Sequence, residues 1–265
     1  MTRIAGVVGQ PVRHSLSPLL HSAWIRAAGI DADYRGFDPG DEAGFAGLIA
    51  RGRDGALVGL NVTAPFKTLA LAAADEASAV ARRCGSANLL VFAAGRVLAD
   101  STDGAGLVVA LEAQAPDLTL AGEPVVILGA GGAARAAALA LQMAGADVAI
   151  LNRTVARAEA LAADLEVRVA GSDAISTAAL VVNALSVPPQ IDVAALRRDA
   201  VLMDMTYRPL HTPFLVAGRA RGLGTVDGLA MLIGQARPSF RALFGVETPA
   251  LDVRALALRA LGEAA

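Results

Sequence analysis

The sequence predicts an α/β protein of two domains, and three observations carry that expectation. Short runs of Val, Ile and Leu alternate with longer Ala- and Leu-rich stretches of helical period, the pattern of βα units with parallel strands. Hydrophobic residues make up 55% of the 265 positions and charged residues 18%, enough apolar side chain for a sizeable core and too much for a disordered chain. Aromatic residues are only 4%, so the core should consist of close-packed helices rather than an aromatic-rich sandwich.

Taken in order, the expected strands are Ile4–Gly9, Leu57–Val62, Val125–Gly129, Val148–Leu151, Leu180–Asn183 and Val201–Met205. Each precedes a turn containing Gly, Asn, Ser or Asp, and a helix-like segment follows. Ser17-Pro18 reads as an N-cap followed by proline at the first helical position, and Ala28-Gly29 as that helix's stop. Asn88–Phe92 and Val97–Ala99, joined around Gly95, read as a hairpin. A division is expected near residue 102: residues 1–102 form one domain, completed by the helical tail 228–265, and residues 103–227 form a second. Ala115-Pro116-Asp117-Leu118 ends a helix there, and Gly122-Glu123-Pro124 opens a fresh strand–glycine–helix unit.

Charge and special residues narrow the function. Twenty-three Lys and Arg against 25 Asp and Glu leave a net charge of −2, with no basic surplus for a phosphate backbone. Nucleic acid is therefore not expected as a partner. The one cysteine, Cys84, excludes an internal disulfide framework and suits a reducing compartment, so a cytoplasmic location is expected. His14, His21 and His211 show no metal-ligand spacing, and no metal is expected. The apolar run at the N-terminus is too short for a signal peptide. The longest uncharged stretch, Ala174 to Ile191, contains Asn183 and Pro188-Pro189 and would not span a bilayer.

Val125-Val126-Ile127-Leu128 runs into Gly129-Ala130-Gly131-Gly132-Ala133-Ala134-Arg135. A strand, a G-x-G-x-x-A turn and an Ala-rich helix together make the dinucleotide-binding arrangement of a Rossmann-like, doubly wound domain. Gly129 permits the tight turn, Gly131 lets the backbone approach a pyrophosphate at the helix N-terminus, and Ala134 permits close helix–strand packing. A glycine turn needed only for packing would carry the same letters; the strand–turn–helix context argues for the nucleotide. An NAD site places a carboxylate at the end of the second strand, roughly 20 residues on. Here that strand ends in Asn152-Arg153-Thr154, with Arg157 one turn later. Arginine can clamp a 2′-phosphate, so the sequence favours NADP over NAD, against the plainer reading of two solvated helix arginines.

Outside this module, four polar groupings interrupt apolar stretches: Ser15-Leu16-Ser17-Pro18, Asn61-Val62-Thr63-Ala64-Pro65-Phe66-Lys67, Gly85-Ser86-Ala87-Asn88 and Thr102-Asp103-Gly104. The first two follow strands, whose carboxyl ends are where α/β sheets bind ligands. Hydroxyls, amides, one lysine and one aspartate suit a small polyhydroxylated acid, because each substrate hydroxyl needs a partner once water is excluded. Each has a structural alternative. Ser17 and Thr63 could be helix caps, Asp103 a cap or turn residue, Asn88 a turn residue and Lys67 an ordinary exposed lysine.

Together these residues resemble the shikimate dehydrogenases. The likeness runs in order over nearly the whole chain: Ser15-Leu16-Ser17-Pro18 with His21, Asn61-Val62-Thr63-x-Pro65-x-Lys67, Thr102-Asp103-Gly104, the glycine loop, and Asn152-Arg153-Thr154. Asp204-Met205-x-Tyr207-x-Pro209 and Gly228-Leu229-x-Met231-Leu232-x-x-Gln235 complete it. The resemblance implies an N-terminal α/β substrate domain and an NADP-binding domain that reversibly reduce 3-dehydroshikimate to shikimate, as monomer or homodimer. Ser15, Ser17 and Tyr207 would hold the substrate carboxylate, and Thr63, Asn88 and Gln235 its hydroxyls. Lys67 and Asp103 would be the catalytic pair. Gly129, Ala130, Gly131, Gly132, Ala133, Asn152, Arg153, Thr154, Arg157, Met205 and Gly228 would line the NADP site. The chain departs from the family pattern at Leu89, Ser101 and Leu185. A dehydrogenase for quinate or a shikimate-like compound is the first alternative. A non-catalytic relative is the second, disfavoured by the presence of both Lys67 and Asp103.

Overall fold

A computed structural model of the chain describes residues 2–263, so the last two residues of the expected helical tail lie outside it. The chain divides into two compact units: Met1–Thr102 with Gln235–Ala265, and Asp103–Gly234. The segment that returns to the first unit begins at Gln235, within a helix, rather than at Gly228.

The first unit opens with β1 (Arg3–Val8), α1 (Ser17–Ala28), β2 (Ala32–Phe37), α2 (Glu42–Arg53), β3 (Gly59–Val62) and α3 (Lys67–Ala72). β4 (Glu76–Ala77), α4 (Ala79–Cys84), β5 (Leu89–Ala93) and β6 (Arg96–Asp100) follow. The strand order is β2-β1-β3-β5-β6-β4. β1 pairs in parallel with both β2 and β3, so successive connections leave β1 in opposite directions. The loops after β1 and β3 therefore flank a topological switch point, where such sheets open a crevice. The hairpin β5–β6 turns through Ala94 (φ 50°) and Gly95 (φ 75°), two consecutive positive φ values that match the right-handed strand twist. Because β5 runs antiparallel to β3, its first residue lies at the carboxyl end of β3, with Asn61 opposite Leu89. The antiparallel pair thus carries Asn88 to the edge that holds the loops after β1 and β3.

The second unit contains α5 (Asp103–Gln114), β7 (Pro124–Leu128), α6 (Gly132–Met143), β8 (Asp147–Leu151), α7 (Val155–Leu165) and β9 (Arg168–Val169). It continues through β10 (Leu180–Asn183), β11 (Val201–Asp204), α8 (Pro213–Ala220), β12 (Gly224–Val226) and the first part of α9 (Gly228–Phe244). The rest of α9 and α10 (Val253–Leu261) belong to the first unit. The sheet order is β12-β11-β10-β7-β8-β9, all parallel, which is the doubly wound arrangement. Alternate residues serve two cores. Val125, Ile127, Leu180, Val182 and Met203 join one, while Val126, Leu128, Val181 and Leu202 join the other. A sheet covered on both faces needs continuous apolar runs, and that is why these strands are legible in the sequence.

Small residues set the helix spacing. Ala134, Ala137 and Ala138 of α6 are buried in the first core. A Cβ at Gly104 would come within 2.8 Å of the Ala140 Cβ, so α5 lies closely on α6. β2, β4, β9 and β12 are not among the expected strands. β2 reads Ala-Asp-Tyr-Arg-Gly-Phe, too polar to signal a strand, and pairing with β1 overrides that local preference. β4, β9 and β12 have two or three residues each, too few to show a period.

Candidate active site

In the first unit the expected residues gather at the carboxyl edge of the sheet. Ser15 and Ser17 lie in the segment between β1 and α1, where the Ser17 backbone N–H donates to Ser15 Oγ at 3.2 Å. Ser17 is buried but does not cap α1. Leu16 occupies the N-cap in helical geometry with no side-chain bond, and Ser17 is the first helical residue. The expected N-cap role is therefore corrected, and the Ser17 hydroxyl is not spent on the helix end. Thr63 likewise caps nothing: α3 begins only at Lys67, behind Phe66. The Thr63 N–H donates instead to the Val8 carbonyl at 2.9 Å, holding the loops after β1 and β3 together. Lys67 opens α3, half-buried, and its carbonyl accepts the Ala87 N–H at 2.9 Å, one residue before Asn88.

Asn88 is no turn residue. It is buried, and its Oδ1 accepts the Thr102 N–H at 2.8 Å. Its Nδ2 donates to Thr102 Oγ1 at 3.0 Å and to Gln235 Oε1 at 2.9 Å. Three segments distant in sequence thus meet at one amide.

A second layer, with no role among the sequence-based expectations, supports this cluster. Asn61 donates from Nδ2 to Ser239 Oγ at 2.9 Å and to the Asn88 carbonyl at 3.3 Å, while its Oδ1 accepts from the Tyr34 hydroxyl at 2.8 Å. Tyr34 in turn stacks on His21, with ring centroids 4.0 Å apart and planes 6° from parallel. Burial holds His21 neutral, pushing its pKa down to about 3, and raises that of Tyr34. An imidazole in this state orients its neighbours and carries no charge. By sequence Asn61 stands among the polar groupings but has no role of its own; the signal for a supporting role is that a polar residue inside the apolar strand Gly-Leu-Asn-Val must find partners once buried.

The second unit presents its own expected residues at the carboxyl edge of its sheet. Gly129 directly follows β7 with φ 118°, a conformation that favours glycine, and Gly131 is the N-cap of α6. A Cβ on Gly131 or Gly132 would meet nothing within 4 Å, so the loop leaves open space in front of the helix N-terminus. Beside it, a Cβ on Gly129 would lie 3.1 Å from the Leu185 side chain, which places the segment after β10 across the switch point. Ala130 and Ala133 complete the loop and the first turn of α6.

At the end of β8, Asn152 donates from Nδ2 to the Thr154 carbonyl at 2.9 Å and shapes the turn into α7. Arg153 and Arg157 are both exposed there, with no ion pair among the described residues. Arg135, by contrast, pairs with Asp164. Gly228 fits tightly against Met205 and Thr206: a Cβ on it would lie 2.5 Å from the Met205 carbonyl oxygen. Asn183 and Asp204 are buried and bonded to each other at 3.2 Å, and Asp204 also accepts the Thr206 N–H at 3.0 Å, fixing the turn that leads to Tyr207. Asp103 is the first residue of α5, directly after Thr102 in the chain. Asp103 and Tyr207 thus belong to the second unit, whereas Lys67, Ser15, Ser17, Thr63, Asn88 and Gln235 belong to the first. Among the described residues, no group of three or more His, Cys, Asp or Glu is placed to hold a metal ion, and no helix is long and apolar enough to cross a membrane.

Comparison with known proteins bears on both units. Residues 7–90 match the family model of the shikimate dehydrogenase substrate binding domain, and residues 111–197 that of shikimate / quinate 5-dehydrogenase. The shikimate dehydrogenase (NADP(+)) of Caulobacter vibrioides is 50% identical over 98% of this chain and 96% of its own. The chain belongs to the shikimate dehydrogenase family. The crystal structure of shikimate 5-dehydrogenase from Thermus thermophilus, in complex with NADP(H) and shikimate, is 36% identical. It covers 94% of this chain and 95% of its own, with a TM-score of 0.87. A quinate dehydrogenase from Corynebacterium glutamicum in complex with NAD, 31% identical, covers 98% and 99% with the same TM-score of 0.87. The α/β fold class with a doubly wound second unit, which the motifs implied, agrees with these matches; the mixed first sheet, with β5 antiparallel to β3, lies outside that expectation.

Proposed function

We propose that this chain is an NADP-dependent shikimate dehydrogenase, reversibly reducing 3-dehydroshikimate to shikimate. The observation that carries the reading is the first unit's cluster: the amides of Asn88 and Gln235 and the Thr102 hydroxyl converge at the sheet edge, in the backbone neighbourhood of Lys67. Such an array suits a ring bearing several hydroxyls. Each hydroxyl loses water on binding and needs a hydrogen-bonding partner, and a site left with unpaired groups rejects the analogue that lacks one.

The second unit's residues fit NADP. The open space over Gly131 and Gly132 would take the pyrophosphate, with backbone N–H groups of Gly129 to Ala133 and the N-terminus of α6 facing the anion. Asn152, Arg153, Thr154 and Arg157 would surround the adenosine ribose, the two arginines pairing with its 2′-phosphate. Met205 and Gly228, packed on each other, would form the opposite wall of the cofactor site. When bound, the cofactor would supply a hydride as NADPH and take one up as NADP+ in the reverse direction.

The protein's part is to bind, orient and move a proton. Ser15, Ser17 and Tyr207 would hold the substrate carboxylate, and Thr63, Asn88 and Gln235 its hydroxyls. A carbonyl oxygen gaining negative charge must receive a proton, and the Lys67 ammonium is the donor in this reading, with the Asp103 carboxylate orienting it. Acid–base help of this kind is worth ~10²–10⁴-fold in rate. The first unit, with its returning tail, is thereby the substrate domain, and the second is the cofactor domain. The chain would work in the cytoplasm, as a monomer or homodimer.

The test is absorbance at the NADPH band, with shikimate and quinate each offered with NADP+ and with NAD+. Shikimate with NADP+ should give the highest kcat/KM. A preference for quinate with NAD+ would instead assign the chain to the quinate branch of the family, and no turnover with any pair would refute the catalytic reading.

A further inference from the structure

α9 carries a polar residue that no motif uses. Ser239 is fully buried, and its Oγ donates to the Gln235 carbonyl one turn earlier at 3.0 Å. That bond alone would satisfy a helical serine and signify nothing further. The same oxygen, however, accepts from Asn61 Nδ2 at 2.9 Å and lies 3.4 Å from Thr102 Oγ1. Ser239 therefore touches the backbone of Gln235, the amide that supports the Asn88 carbonyl, and the hydroxyl that receives the Asn88 side chain.

The local chain explains why such a tether is needed. Pro238 lies inside α9 and has no N–H for the carbonyl four residues earlier, so the turn that carries Gln235 lacks one helical hydrogen bond. Meanwhile Gln235 Oε1 faces inward, accepting from Asn88 Nδ2 at 2.9 Å and Thr102 Oγ1 at 3.3 Å. That orientation leaves the Nε2 end of the amide to donate to an acceptor such as a substrate hydroxyl oxygen.

We infer that Ser239 is a positioning residue: it pins the weakened turn of α9 to Asn61 and Thr102, so that the Gln235 amide is held with its donor end presented before substrate arrives. The inference rests on the shikimate dehydrogenase reading and deepens it. Ser239 touches no reactant and acts through Gln235.

The experiment is a double-mutant cycle with shikimate and NADP+ as the varied substrates. Ser239→Ala should raise KM for shikimate about 3–10-fold, with kcat and KM for NADP+ within about two-fold of wild type. In a Gln235→Ala background, adding Ser239→Ala should change KM for shikimate by less than about 1.5-fold, because the group it positions is gone. An unchanged KM in the single variant overturns the inference. So does the same factor in both backgrounds, the mark of a merely structural role. Should Ser239→Ala fail to fold, Ser239→Cys, close in volume but a weak donor, is read against the same two outcomes. Absence of wild-type turnover overturns the functional reading and this inference with it, whereas wild-type turnover with an unmoved KM overturns the inference alone.

Discussion

The imidazole of His21 lies flat against the ring of Tyr34, centroids 4.0 Å apart, and the Tyr34 hydroxyl donates to Asn61 at 2.8 Å. His21 is 1% exposed and its Nδ1 has no hydrogen-bond partner, so protonation would bury an unpaired charge. Its folded-state pKa of about 3 lies below the unfolded value of 6.5. Between those values the unfolded chain binds more protons, so stability is full above about pH 6.5 and falls as pH drops toward 3. From pH 7 to pH 5 this one group should remove about 2 kcal/mol. Urea unfolding of wild type and His21→Phe at both pH values checks it. The wild type should lose about 2 kcal/mol more than the variant, and parallel losses would remove His21 as the cause.

The Asn88 side chain is the second place where burial makes a strong demand. Truncation to alanine would leave the Thr102 N–H without its partner and Gln235 Oε1 with only the longer contact from Thr102 Oγ1 at 3.3 Å. An unpaired buried polar group costs about 1–3 kcal/mol, so Asn88→Ala should lower unfolding free energy by at least ~1 kcal/mol. It should also raise KM for shikimate, through Gln235 as well as directly. A variant as stable as wild type, with unchanged KM, would show that the cluster is dispensable.

Legibility followed the distance over which each signal acts. The glycine loop, the strand before it and the arginines after β8 lie within some 30 residues and obey local rules, so spacing alone located them. The meeting of Asn88 and Gln235, 147 positions apart, has no local signature; only the resemblance implied that both serve one ligand. Ser17 and Thr63 show the opposite failure. Both stand where a helix cap is expected, yet the helices start elsewhere, because Leu16 already has helical dihedrals and α3 begins only after the Ala64-Pro65 turn. β2 was hidden for a third reason: its exposed Arg35 and half-buried Asp33 pair with each other at 2.5 Å, and the strand exists through its pairing with β1.

Arg153 tests the cofactor half of the reading. It is exposed at the end of β8, where an NAD site would carry a carboxylate. A charged hydrogen bond is worth ~1.5–3 kcal/mol, so Arg153→Ala should weaken NADP+ binding by about 10–150-fold. NAD+ lacks the 2′-phosphate, and its affinity should change little. Titration with both nucleotides separates the outcomes: equal losses point to a damaged fold, and unchanged NADP+ affinity ends the assignment.

Lys67, the proposed proton donor, tests the chemical half of the reading. It opens α3, two residues after Pro65, and its carbonyl is held by the N–H of Ala87. The backbone at Lys67 is therefore held independently of its side chain, and removing the amine should leave the fold and the glycine loop of the second unit intact. Lys67→Ala should bind NADP+ as wild type does while kcat falls by ~10²–10⁴-fold, the range for loss of a positioned proton donor. Lys67→Arg keeps the positive charge but offers a group that scarcely deprotonates, and so separates two roles for the amine. If the side chain only stabilises developing charge, arginine should recover much of the rate. If it passes a proton to the substrate oxygen, arginine should stay close to the alanine variant, and a near-normal kcat in Lys67→Ala itself would take Lys67 out of the mechanism.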